Sequence, residues 1–143
     1  MSIWKKNTDL TRLNATSENT LTAHLGIVFT EVGDNYFSGT MPVDHRTVQP
    51  FGLLHGGASV VLAETLGSVA ANLAVPADKI CVGLEVNANH IRSVKSGLVT
   101  GTATALHIGY TTQIWSIEIK NARQQLVCIS RLTIAVINKP VTE

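Results

Sequence analysis

Residues 49–68 read Gln49-Pro50-Phe51-Gly52-Leu53-Leu54-His55-Gly56-Gly57-Ala58-Ser59-Val60-Val61-Leu62-Ala63-Glu64-Thr65-Leu66-Gly67-Ser68. A turn rich in Pro and Gly runs into a long apolar segment. The spacing predicts a helix from His55-Gly56-Gly57 to about Val75, stopped by Pro76-Ala77-Asp78. At its start the backbone N–H groups lack helical partners, and the positive end of the helix dipole favours negative charge. Two turns in, the helix carries a single carboxylate, Glu64. Ala58–Val75 is near the lower length limit for a membrane span. An acid at the bilayer centre would cost at least about 2.5–3.5 kcal/mol, and the segment is rich in Ala, Ser and Gly. It reads as a helix buried in a soluble protein, with no role at a membrane.

Outward from this helix, the upstream chain offers two short helices. Thr8 or Asp9 caps one that runs to about Asn14, and Ser17 caps another that runs to about Ala23, with Gly26 as the break. Ile27–Val32 and Tyr36–Val43 form a hairpin around Gly33-Asp34-Asn35. Downstream come four strands. These are Ile80–Ile91, with a bulge expected near Asn87–Asn89, then Leu98–His107, Thr111–Lys120 and Leu126–Ile137. Short turns between consecutive strands imply antiparallel pairing. The expected architecture is α+β, with the long helix wrapped by a curved antiparallel sheet.

The composition sets limits on function. With 143 residues there is enough chain for one domain (1–143) with a real core. Apolar residues make up 45% and charged ones 15%, which argues against disorder. A net charge of +1 offers no electrostatic case for nucleic acid. Few charges on so short a chain point to apolar surface hidden by oligomerisation. Cys81 and Cys128 lie in strand-like runs without CxxC spacing and read as free buried thiols, which suits a reducing cytoplasm. The start of the chain has no apolar stretch of signal-peptide length. No cluster has metal-ligand spacing, and no nucleotide-triphosphatase phosphate loop is present.

The element order and several motifs together resemble the hotdog-fold thioesterases. The motifs are Gln49–Gly57 with Glu64 and Gly67-Ser68, Met41-Pro42-Val43-Asp44-His45-Arg46, Gly83-Leu84-Glu85-Val86-Asn87-Ala88-Asn89-His90, and Arg92-Ser93-Val94-Lys95-Ser96-Gly97. Within that family they are similar to the branch of the 1,4-dihydroxy-2-naphthoyl-CoA thioesterase of menaquinone biosynthesis and the enterobactin-pathway proofreading thioesterase. The resemblance covers nearly the whole chain. It implies a hotdog fold and a homodimer with a continuous sheet. It also implies pairing of dimers into a homotetramer and an active site at the dimer interface. The implied substrate is an acyl-CoA, aromatic such as 1,4-dihydroxy-2-naphthoyl-CoA or of broad range, or alternatively an acyl carrier protein thioester, with coenzyme A as part of the substrate and no separate cofactor.

Thioester hydrolysis needs a donor for the developing oxyanion and an activated attacking oxygen. Gly57 N–H at the helix start is the expected oxyanion donor, with Gly56 keeping the turn open. Glu64 is the expected acid, either as nucleophile or as general base on water. A carboxylate on an apolar helix is costly unless it is paired or used. Along one helix Gly57 and Glu64 are about 10 Å apart, which argues that they come from different subunits. Gln49 orients water or the acyl carbonyl, and His55 bonds the thioester or holds the loop. Ser68 contacts water or the acyl group, or bonds a backbone carbonyl. His90 and Arg92 are two apart on a strand and share a face suited to the anionic arm of coenzyme A. His107 and Tyr110 are further candidates for that arm. Relatives often carry Gly-Arg where this chain has Gly109-Tyr110, so a phosphate-binding charge gives way to a ring that stacks or hydrogen-bonds. Rival readings are a hotdog dehydratase and a non-catalytic acyl-CoA-binding module. His-Gly-Gly leading directly into the helix favours hydrolysis over the first, and the retained Glu64 speaks against the second.

Overall fold

The computed structural model describes residues 1–142. The elements follow the chain as α1 (Leu10–Ala15), α2 (Leu21–His24), β1 (Val28–Val32), β2 (Tyr36–Pro42), α3 (Gly56–Leu73), β3 (Lys79–His90), β4 (Leu98–Ile108), β5 (Thr112–Lys120) and β6 (Leu126–Asn138). The six strands form one antiparallel sheet in the order β1-β2-β4-β5-β6-β3. The long helix α3 lies against this sheet, in the hotdog arrangement.

Alternation along the central strands explains the layering. Trp115, Ile117 and Ile119 of β5, and Cys128, Leu132 and Ile134 of β6, are all buried. They share the face that meets Leu62, Leu66 and Ala70 of α3, in the same core. Burying each leucine contributes about 1.5–3 kcal/mol. Helix and sheet approach closely because glycines remove side chains at the contact. A Cβ on Gly101 would lie 2.6 Å from Leu66 Cδ1, and one on Gly67 would lie 2.5 Å from Leu132 Cδ2.

The helix is not covered all round. Val60, Val61, Glu64, Thr65, Ser68, Val69 and Asn72 are half-buried. Their spacing makes one stripe along α3. At its far end, Lys5 and Lys6 N–H groups donate to the Leu73 carbonyl. This satisfies a carbonyl that the helix leaves unpaired. Trp4, from the same segment, stacks on Trp115 with ring centroids 6.3 Å apart.

Two local expectations need correction. The cap of α2 is Thr20, not Ser17. Ser17 is buried, and its carbonyl accepts the Thr20 hydroxyl. The bulge in β3 falls between Gly83 and Glu85, at Leu84, not near Asn87–Asn89. It changes the phase of the strand. Gly83 pairs with Ile134, but beyond the bulge it is Val86, Ala88 and His90 that pair with Leu132, Ser130 and Cys128. Directly paired residues share a face, so Gly83 and His90 both face the helix. Glu85, Asn87 and Asn89 turn to the other side.

The two outer strands end the sheet differently. At β1, Asn14 of α1 donates from Nδ2 to the Phe29 carbonyl at 2.9 Å and accepts the Phe29 N–H at 2.8 Å. At β3, Val82 and Leu84 are exposed.

Candidate active site

The turn before α3 is built by Gln49. Its Oε1 accepts the Phe51 N–H at 2.5 Å, its carbonyl accepts the Gly52 N–H, and its own N–H donates to the Leu53 carbonyl. Gly52 takes a φ of +76°, which favours glycine. With one lone pair of Oε1 engaged by Phe51, the Gln49 NH2 remains as the side chain's donor.

His55 is the N-cap of α3. Its Nδ1 accepts the Gly57 N–H at 2.8 Å, and its carbonyl accepts from Ala58 and Ser59. The Gly57 N–H, expected to face an oxyanion, is thus spent within its own chain. Among the described residues, the Gly56 N–H has no acceptor. The open donor at this helix start is therefore Gly56. A Cβ on Gly56 would lie 2.8 Å from His90 Nε2, so the missing side chain is what admits the His90 ring.

Gln49, Gly56 and His90 line one cleft of about 340 Å³, together with Ser59, Arg92 and Leu54, while His55 and Gly57 stand outside its walls. Sequence reasoning placed four of these six wall residues at the site. It missed Ser59, which is 1% exposed and sits one turn after Gly56. The i, i+3 spacing on a helix was the available signal. Arg92 reaches the cleft by another route than expected. The strand stops at His90, and Arg92 donates from Nη1 to the Leu126 carbonyl at 3.0 Å.

Glu64 and Ser68 do not line this cleft. Glu64 points at β3 instead, with Oε1 2.9 Å from where a Cβ on Gly83 would stand. Among the described residues its carboxylate has no hydrogen-bond or ion-pair partner. The Ser68 carbonyl accepts from Asn72 Nδ2. His107 and Tyr110 also lie elsewhere, near the β4–β5 turn. The Lys79 ammonium sits 5.2 Å from the centre of the Tyr110 ring, at the opening of β3. His90 ends the same strand, roughly 36 Å further along at 3.3 Å per residue.

Around the site, Asp44 and Arg46 fix the loop leaving β2, at 2.7 Å between Arg46 Nη2 and Asp44 Oδ2. Hydrogen bonds from Arg46 hold the Asp44 carboxyl down to about 2. His24 and His45 are exposed. Cys81 and Cys128 are free and buried, and burial pushes both thiols up. Among the described residues no group of His, Cys, Asp and Glu could hold a metal ion. No described helix is long and apolar enough to cross a membrane.

A family model described as the thioesterase superfamily matches residues 51–128. The chain belongs to this superfamily and is an enzyme of its hotdog-fold thioesterase class. A Vibrio cholerae protein with a provisional esterase name is 65% identical over 136 residues, covering 95% of this chain and 91% of its own. The 1,4-dihydroxy-2-naphthoyl-CoA hydrolase of Escherichia coli is 51% identical over 135 residues, covering 94% of this chain and 99% of its own. A proofreading thioesterase of Cronobacter sakazakii is 50% identical over 135 residues, covering 94% and 98%. Among solved structures, a glutamine-to-alanine variant of a Pseudomonas aeruginosa thioesterase matches with a TM-score of 0.95 at 50% identity, covering 96% of this chain and 100% of that one.

Proposed function

We propose that the protein hydrolyses an aromatic acyl-CoA, with 1,4-dihydroxy-2-naphthoyl-CoA as the first candidate, to the free acid and coenzyme A. The observation that carries hydrolysis is the unpaired Gly56 N–H on the wall of a cleft, at the positive end of a helix; the aromatic acyl group is taken from the name of the Escherichia coli relative. Gly56 N–H and the Gln49 NH2 are the two donors that would hold the thioester oxygen as it gains charge. Glu64 supplies the attack, in one of two ways. As a general base it takes a proton from water, whose oxygen bonds to the acyl carbon. As a nucleophile it forms an anhydride that water then cleaves. In both, the C–S bond breaks and the thiolate of coenzyme A takes up a proton. Coenzyme A enters only as part of the substrate.

Glu64 would come from a second copy of the chain. Its carboxylate lies at the β3 side of the helix while the donors lie about two turns away along it. Pairing β3 with the β3 of another copy about a two-fold axis would extend the sheet and bring Glu64 toward the other cleft. The same antiparallel pairing would set the start of one β3 beside the end of the other. Tyr110 and Lys79 of one copy would then flank His90 and Arg92 of the next, on the arm of coenzyme A. A second pairing of dimers gives the expected tetramer.

One relative is named for a naphthoyl-CoA substrate and the other for proofreading, and they stand at nearly equal identity, 51% and 50%, so identity does not choose between them. Thiol release from 1,4-dihydroxy-2-naphthoyl-CoA, benzoyl-CoA, hexanoyl-CoA, palmitoyl-CoA and one aroyl carrier protein tests the choice. kcat/KM should be highest on an aromatic CoA thioester. Preference for the carrier protein would move the function to proofreading. Binding of every substrate without thiol release would make the protein a binding module.

A further inference from the structure

Gly83 stands on the outer strand β3, immediately before its bulge, and faces the helix. Its φ is not among the positive ones, so backbone freedom does not explain a glycine here. Space does. A Cβ at this position would meet Glu64 Oε1 at 2.9 Å, while the next neighbours, Glu64 Cδ and Leu132 Cδ1, are at 3.9 and 4.0 Å. The only atom that the missing methyl accommodates closely is the carboxylate oxygen. Bulges are common where a strand must re-aim a side chain beside a site. This one ends the phase in which Gly83 faces the helix and restarts it so that His90 does too.

We propose that Gly83 and the adjoining Leu84 bulge form a window in the edge of the sheet that sets where the Glu64 carboxylate lies. Gly83 is thus a positioning residue, acting through Glu64. This rests on the reading of Glu64 as the acid of the reaction. Among the described residues the carboxylate has no partner to hold it. The shape of the strand confines it instead, with Oε1 against Gly83. A methyl at position 83 would displace only the flexible end of Glu64. It would therefore disturb the chemistry far more than the fold.

The test is Gly83→Ala, measured by thiol release from benzoyl-CoA, with thermal unfolding and oligomeric state alongside. Ordinary contact would need the oxygen to move by roughly half an ångström, and since a full 1 Å misplacement can cost about a hundredfold, this one should cost about tenfold in kcat. We expect a loss of that order with KM within about twofold, since substrate binding is untouched. The second measurement is a cycle with Glu64→Asp, which draws the carboxylate back by one methylene. In that background Gly83→Ala should cost much less, and the two effects should not multiply. Unchanged kcat in a folded Gly83→Ala protein overturns the proposal. So does an equal loss in both backgrounds, which would mean that position 83 acts on the pairing of strands and not on the acid. Should Gly83→Ala lower stability, the loss should vanish in the Glu64→Ala background, where no oxygen is met. Persistence of that loss would also overturn it. Full activity in Glu64→Ala alone would instead remove the underlying reading of the acid.

Discussion

The sheet has two edges, and they are treated in opposite ways. At β1 the edge is short and contains a register shift between Phe29 and Glu31. The Asn14 amide bonds both backbone groups of Phe29, as a neighbouring strand would. Such devices blunt an edge that would otherwise recruit another chain. At β3 the edge is long, from Lys79 to His90, and exposes Val82 at 41% and Leu84 at 64%. The acid and the glycine that makes room for it lie at this edge too. An edge that is blunted needs no partner. One that is long and exposes Val82 and Leu84 beside Glu64 is the edge at which we propose a second copy pairs. On the proposed function, the contrast separates a side of the fold that serves structure from one that serves chemistry.

The largest expected effect comes from the open edge. Glu64→Ala should lower kcat by about a hundred- to ten-thousandfold, read by thiol release, with the fold intact by circular dichroism. Next, Leu84→Lys adds a charge to the exposed β3 edge of each copy. It should weaken association by at least about tenfold, roughly 1.4 kcal/mol, in sedimentation, and activity should fall with the dimer. Leu84→Lys protein that stays dimeric would move the pairing to another surface. The closed edge gives a smaller effect of a different kind. Asn14→Ala leaves the Phe29 backbone groups unpaired and should cost about 1–3 kcal/mol in denaturant unfolding, with kcat unchanged. A loss of activity at constant stability would break the division between the edges.

The smallest effect touches neither edge. The Asp44 carboxyl is held below its ordinary value, at about 2, by hydrogen bonds from Arg46. A carboxyl lowered by folding adds stability that is fully present above its unfolded value and is lost as pH falls through the folded one. Between about pH 4 and pH 2 the protein should therefore lose stability that Asp44→Asn lacks at every pH. The pair is exposed, so the effect is modest. A change of the same sign above pH 5 would assign it to another group.

Much of the fold was legible because it follows from periodicity. The helix at 56–73 and the six strands fall close to where apolar spacing and β-branched runs put them. Asp9 capped α1 as its type suggests. The Ser17 error came from a residue of the right type in the wrong place, since Thr20 stands equally well before the apolar run. The bulge in β3 was misplaced because Gly83-Leu84-Glu85-Val86 fits either phase of a strand. Only pairing with β6 reveals the shift. At the site, the glycines and the acid were visible, but their hydrogen bonds were not. Histidine is not a usual N-cap, so the capture of Gly57 N–H by His55 had no signal, and it moves the open donor to Gly56. The contact between Glu64 and Gly83 joins a helix to a strand, and no local pattern encodes it.

The central claim is that the site is shared between two chains across the β3 edge. Co-expression of Glu64→Ala with Gln49→Ala tests it most directly, because each mixed dimer would hold one site with an intact cleft and an intact acid. With random pairing, half the dimers are mixed and each has one working site in two, so activity should rise from near zero toward about a quarter of wild type. Mixed protein no more active than its two parents would place the cleft and Glu64 of each site in the same chain, and contradict the account.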